Sequence, residues 1–169
     1  MSWEVRLHPE VESWYPGLCT TDPATADLIE DAIDQLAREG PTAGRPLVDR
    51  VHGSRHHTMK ELRPPPTGTS EVRMLFAFDP ARQAIFLIAG DKAGNWQRWY
   101  TQAIRLADER FTEHLIWRLV AHGPVIARSW GALGSPYLRA WSPPTVAVVL
   151  KKCCANWRWV ATSSSTAWR

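Results

Sequence analysis

The stretch Arg55–Lys92 carries Arg55, His56, His57, Lys60, Arg63, Arg73 and Lys92. Side chains of this kind suit an anionic ligand, and a phosphodiester is the one whose chemistry they would also serve. RNA can be cut by attack of its own 2′-hydroxyl on the adjacent phosphate. The reaction needs a base near the 2′-oxygen, positive charge on the pentavalent phosphorane and an acid near the leaving 5′-oxygen. Arginine suits the middle task because its planar fork matches phosphate oxygens. Such fixed charge can supply a large share of a rate. Histidine titrates in the range useful for acid–base work, and a lysine crowded by arginines has its pKa pushed down towards use as a base. The catalytic candidates are therefore Arg73, Lys60, Arg63, His57 and Lys92. The RNA-binding candidates are Arg55, His56, Trp96 and Tyr100, the two aromatic rings by stacking on bases.

Each residue also has a plainer use. Arg73 can pair with Glu61 or Glu71 as a structural bridge. Lys60 and Arg63 point to opposite faces of a regular strand, so one is left as a rim charge unless a bulge re-aims it. His56 and His57 alternate in the same way. Trp96, Trp99 and Tyr100 can bury the start of a helix, and Asp91 can cap its own loop. Other chemistries lack their motifs. There is no glycine-rich phosphate loop with its lysine, no dinucleotide fingerprint and no zinc-protease motif. His56-His57 has no third ligand at a metal-like spacing, so no cofactor or metal is expected. A two-carboxylate hydrolase would have to use Asp91, Glu61 or Glu71, each with a cation close by in sequence.

The elements that must position these residues are legible. Met59–Arg63, Ser70–Asp79 and Gln83–Gly90 alternate and are separated by proline- and glycine-bearing turns, which predicts three antiparallel strands. In the middle strand Val72, Met74, Phe76 and Phe78 share one face, and Glu71, Arg73, Leu75 and Ala77 the other. Neither face is uniformly polar, so both are expected to be covered. Arg73 then sits among apolar neighbours, at a cost unless it is paired or used. Asp79-Pro80-Ala81-Arg82 is a tight turn.

Upstream, Trp3–Leu7 alternates as a first strand. Pro9–Leu18 has helical spacing. Asp22 caps a second helix, Pro23 takes its first position and Gly40 stops it. Leu28 or Ile29, Ala32, Ile33, Leu36 and Ala37 form its apolar stripe. Glu30, Asp31, Asp34 and Arg38 are expected on its solvated side. Gly40–Ser54 reads as a loop. A last helix is expected from about Trp99 to Leu115, with Ile104, Ala107, Phe111 and Leu115 inward. The order predicts an α+β domain.

The chain has 169 residues and a formal net charge of +3, about one domain by length. No apolar run approaches the ~20 residues needed to span a bilayer. The acidic start, MSWEVRLHPEVE, is unlike a signal peptide. The cysteines, Cys19 and the pair Cys153-Cys154, form neither a disulfide framework nor a zinc spacing. A cytoplasmic setting, with no membrane partner, is expected. The charge is unevenly placed. All 17 acids lie between Glu4 and Glu113, while residues 116–169 hold no acid and seven bases. The rest has 20 − 7 = 13 bases, so its net charge is 13 − 17 = −4.

Residues 1–115 resemble the RelE/ParE superfamily of toxins from bacterial toxin–antitoxin pairs, and most closely its HigB-like branch. The resemblance rests on Lys60-Glu61-Leu62-Arg63, on Glu71-Val72-Arg73-Met74-Leu75, on Leu87-Ile88-Ala89-Gly90-Asp91-Lys92 and on Ala107-Asp108-Glu109-Arg110 in the last helix. It implies a small curved antiparallel sheet with N-terminal helices and a C-terminal helix. It implies a metal-independent endoribonuclease that cuts messenger RNA, commonly on the ribosome. The partner it implies is an antitoxin with a helix-turn-helix DNA-binding part. By position Arg73 matches the central-strand arginine of such toxins, Lys60 and Arg63 the basic positions of the preceding strand, and Lys92 the cationic end of the last strand. Where some relatives carry a tyrosine or histidine, this chain has Gly90-Asp91-Lys92, with Tyr100 farther on. A non-enzymatic toxin-like binder, either a gyrase inhibitor or an inactive antitoxin-binding relative, is the alternative. Residues 116–169 fall outside the resemblance. Their composition resembles that of GC-rich DNA translated in the wrong frame, and a disordered or frameshift-derived tail is expected there. A basic, aromatic RNA-binding extension is the other reading.

Overall fold

A computed structural model describes residues 2–68, 70–94 and 96–122. Residues 123–169, and with them most of the expected tail, lie outside the described residues. The elements are β1 (Glu4–Leu7), α1 (Pro9–Thr21), α2 (Pro23–Glu39), a 3-10 turn (Gly40–Thr42), β2 (Val48–Arg50), β3 (Met59–Leu62), β4 (Val72–Phe78), β5 (Gln83–Asp91) and α3 (Trp96–His122). The expected α+β fold is present. The strand order is β1-β5-β4-β3-β2. Strands β2 to β5 form an antiparallel meander, and β1 joins β5 in parallel. Among the described residues no helix is long and apolar enough to cross a membrane.

Two layers cover the sheet, as the mixed faces of β4 require. On one face Val72, Met74 and Phe76 meet Leu62 and Phe86 from the sheet and Val11, Tyr15, Ile29, Ile33 and Leu36 from α1 and α2. On the other, Leu75 and Ala77 meet Ala103, Ala107 and Phe111 of α3. The register of β4 against β5 slips between Leu75 and Phe76, leaving Leu87 without a partner on β4. Such a bulge leaves a backbone group off the ladder, and the Leu87 carbonyl accepts from Arg110 Nη1 at 2.6 Å.

Local signals set the ends of α2. Asp22 accepts from the Thr25 backbone N–H at 3.1 Å and from its hydroxyl at 2.5 Å. Gly40 closes the helix at φ 61°, in van der Waals reach of the Trp3 indole, which a β-carbon would strike. Asp22→Ala removes the cap and is expected to cost about 1 kcal/mol, read as a lowered urea midpoint with an unchanged m-value.

The structure corrects three local expectations. Glu30 is buried at 5 % exposure rather than solvated. The Tyr15 hydroxyl donates to its carboxylate at 2.9 Å, and burial leads the causes that raise the Glu30 pKa. Val48–Arg50, expected within a loop, is the edge strand β2. Helix α3 starts at Trp96 and runs through Leu115 to His122, where Arg118 Nη1 donates to Asp79 at 2.5 Å.

Candidate active site

The sheet is built so that one end of its α3 face is polar. Arg73 lies on central strand β4, opposite Gly90 of β5. On β3 Glu61 pairs in register with Leu75, which puts its carboxylate on the same face as Arg73. The first turns of α3 lie over this end because Gly90 has no side chain. A β-carbon there would stand 2.8 Å from the Trp99 indole nitrogen.

Arg73 has a side chain only 8 % exposed. Its Nη1 donates to the Val72 carbonyl at 2.8 Å. Its Nε is buried with no hydrogen-bond partner among the described residues, and stands 3.9 Å from Glu61 Oε1. That is contact between charges without a well-formed bond. Glu61 is the hub of the cluster. The Tyr100 hydroxyl donates to Oε1, and Arg63 Nε stands 4.0 Å from Oε2. Arg63 also donates to Asp49 Oδ2 at 3.0 Å. Burial pushes the Tyr100 pKa up, Glu61 adds to this, and Arg73 and Arg63 offset part of it. Tyr100 is therefore a protonated donor at neutral pH.

Around this core, Trp99 meets Tyr100 edge to face at 5.0 Å, and Trp96 is 59 % exposed. Lys92 Nζ pairs with Glu71 Oε2 at 3.0 Å. That bond, then the Lys92 charge and to a lesser degree Arg73, hold the Glu71 pKa below the usual range. Asp91 serves its own loop, accepting from the backbone N–H of Glu71 at 3.0 Å and of Ala93 at 2.8 Å.

The structure thus brings Arg73, Arg63 and Tyr100 together, with Lys92 and Trp96 at the same end of the sheet. It does not bring the other candidates there. Lys60 lies on the α1–α2 face, 5.6 Å from the Phe78 ring centroid, and its Nζ donates to the Pro41 carbonyl at 3.0 Å. Burial lowers its pKa. His57 is exposed and lines a cavity beside Lys60. His56 is docked on α3, 2.9 Å from Thr112 Oγ1 and edge-on to Phe111 at 5.0 Å. The Arg55 backbone N–H donates to Asp108 at 2.9 Å, and its guanidinium pairs with the same carboxylate at 3.5 Å. No sequence signal marks the Glu61–Tyr100 pair. Its residues are far apart in the chain, and the only local signal was that Glu61 shares a strand face with Arg63.

Residues 16–112, which contain this whole cluster, match the family described as phage derived protein Gp49-like. The chain belongs to the Gp49-like family. Its relatives are HigB-like, as the sequence resemblance anticipates. One, from Mycobacterium tuberculosis strain H37Rv, bears the name toxin HigB2 and is 58 % identical over 105 residues, 62 % of this chain and 51 % of that protein. Another from the same organism bears the name toxin HigB3 and is 53 % identical over 119 residues, 70 % of this chain and 96 % of that protein. The chain therefore spans about half of the first relative's length and nearly all of the second's. No solved structure matches it.

Proposed function

We propose that this Gp49-like chain is the toxin of a type II toxin–antitoxin pair, a metal-independent endoribonuclease that cuts messenger RNA on the ribosome and is neutralised by a helix-turn-helix antitoxin. The observation that carries the reading is Arg73 itself. Its Nε is buried without a hydrogen-bond partner among the described residues, in a cluster that holds a second arginine and a protonated phenol. A buried donor left unpaired costs free energy, and a phosphate oxygen would satisfy it. The names of the relatives, toxins HigB2 and HigB3, agree with the biological role.

In this reading Arg73 and Arg63 bear the charge of the phosphorane, and Lys92 adds to the field. The 2′-oxygen bonds to phosphorus and gives its proton to Glu61. The phosphorus–5′-oxygen bond breaks, and the leaving oxygen takes the Tyr100 proton. The hydrogen bond between Tyr100 and Glu61 then returns the proton to the phenol. The products are a 2′,3′-cyclic phosphate and a 5′-hydroxyl end. Trp96, exposed at the start of α3, offers a stacking surface.

One observation favours the non-enzymatic alternative. Arg73 is already faced by Glu61 and is 8 % exposed, so RNA must open this contact to use it. The experiment is induced expression in a bacterial host with mapping of RNA ends. The expected result is growth arrest with new 5′-hydroxyl ends in messenger RNA, both relieved by co-expression of the neighbouring antitoxin gene. Arrest with intact messenger RNA and a DNA-damage response would instead establish a gyrase-directed binder.

A further inference from the structure

Away from Arg73 the molecule carries a second basic feature. Ala43, Arg45, Asp49, Arg50, His57 and Lys60 line a cavity of about 540 Å³ at the β2 edge of the sheet. Arg50 and Lys60 are directly opposed across the antiparallel β2–β3 pair. Like charges in that position destabilise a sheet. Asp49 is the acid in the lining, and it is already shared between Arg45 at 2.9 Å and Arg63 at 3.0 Å. Lys60 spends one donor on the Pro41 carbonyl. The Arg50 guanidinium and the exposed His57 ring have no hydrogen bond or ion pair among the described residues. The cavity therefore holds more positive charge than the protein neutralises, with an open arginine fork beside it.

We propose that this cavity binds a backbone phosphate of single-stranded RNA, outside the bond that is cut. The inference rests on the RNA reading above. Asp49 is the link between the two regions, since it lines the cavity and also holds Arg63, which reaches Glu61 on the α3 face. A strand crossing the short β2 edge would set one phosphate in the cavity and present a later one to Arg63 and Arg73. An anion between Arg50 and Lys60 would also relieve their repulsion.

The test uses the full chain and a 2′-O-methyl oligoribonucleotide, which binds but cannot be cut, followed by anisotropy at several salt concentrations. Arg50→Glu is expected to bind about tenfold more weakly at low salt, with a salt slope shallower by about 0.7 for the lost phosphate contact. Arg50→Lys, which keeps the charge, is expected to retain most of the affinity. On cleavable RNA, Arg50→Glu should raise KM and leave kcat unchanged. Arg50→Glu faces Lys60 as an opposite charge, so folding is not at risk. Wild-type affinity and slope in Arg50→Glu overturn the proposal. So does a variant that keeps RNA but loses a polyglutamate probe, which would make the cavity a seat for an acidic protein segment. Cleavage with unaltered RNA binding in Arg50→Glu removes the cavity's role and leaves the nuclease. Weakened RNA binding in Arg50→Glu, with a wild-type chain that binds RNA but cuts nothing, keeps the cavity and removes the nuclease.

Discussion

Asp79→Ala is expected to cost about 3–5 kcal/mol of stability, the usual penalty for removing one partner of a buried charge pair. For a domain of this size that is a fall in Tm of about 12–20 °C. Asp79 has a fully buried side chain and joins three parts of the fold. Oδ1 accepts from the backbone N–H of Ala81 at 2.8 Å and of Gln83 at 3.1 Å, which closes the β4–β5 turn. Oδ2 stands 3.0 Å from His114 Nε2 and 2.5 Å from Arg118 Nη1, which ties that turn to α3. Alanine would leave His114, itself 1 % exposed, and Arg118 without this anion, and would open a turn in which Arg82 already stands at φ 61°. Asp79→Asn keeps an acceptor for the turn and should lose less. Chemical denaturation decides, and an alanine variant within about 1 kcal/mol of wild type would show that the pair contributes little.

The same carboxylate sets an acid limb. Burial alone would raise its pKa, but the bonds from His114, Arg118 and the two turn amides outweigh it and hold the value at about 2. The folded value lies below the ordinary one, so the contribution is complete above the unfolded pKa. It is lost as pH falls towards about 2. Wild type should lose Tm more steeply than Asp79→Asn over that interval.

Sequence signals reached those features that are local. Asp22-Pro23 and Gly40 bound α2 where capping chemistry requires. Alternation within Ser70–Asp79 anticipated a strand covered on both sides and an Arg73 buried beside an acid. Odd spacing separated Lys60 from Arg63, and the structure puts them on opposite faces. What escaped was tertiary. Three residues, Val48–Arg50, are too few to show a period. Glu30 carries no mark of the Tyr15 hydroxyl that reaches it from α1. The phase of α3 against the sheet is fixed by Ala103, Ala107 and Phe111 in the core, and only that phase brings Tyr100 onto Glu61 and turns His56 towards Thr112. The candidate site is therefore legible as a set of charges, and illegible as a hydrogen-bonded cluster.

On the proposed nuclease reading, Arg73→Lys is expected to lower messenger-RNA cleavage by about 10²–10³-fold, the scale for loss of one preorganised donor to a developing anion. Lysine is the informative replacement. Alanine would leave Glu61 buried with less compensation, and a loss of activity could then reflect unfolding. Lysine keeps the charge next to Glu61 but gives up the planar fork, so it separates positive charge from bidentate geometry. If Arg73 grips the phosphorane, kcat should fall far more than KM rises, because the contact strengthens as charge develops on phosphorus. Thermal unfolding of the variant should stay within a few degrees of wild type. Should Arg73→Lys cleave within about threefold of wild type, the arginine is a structural partner of Glu61 alone. The phosphate contact would then have to come from Arg63, whose side chain is 37 % exposed and pairs with Asp49 at 3.0 Å.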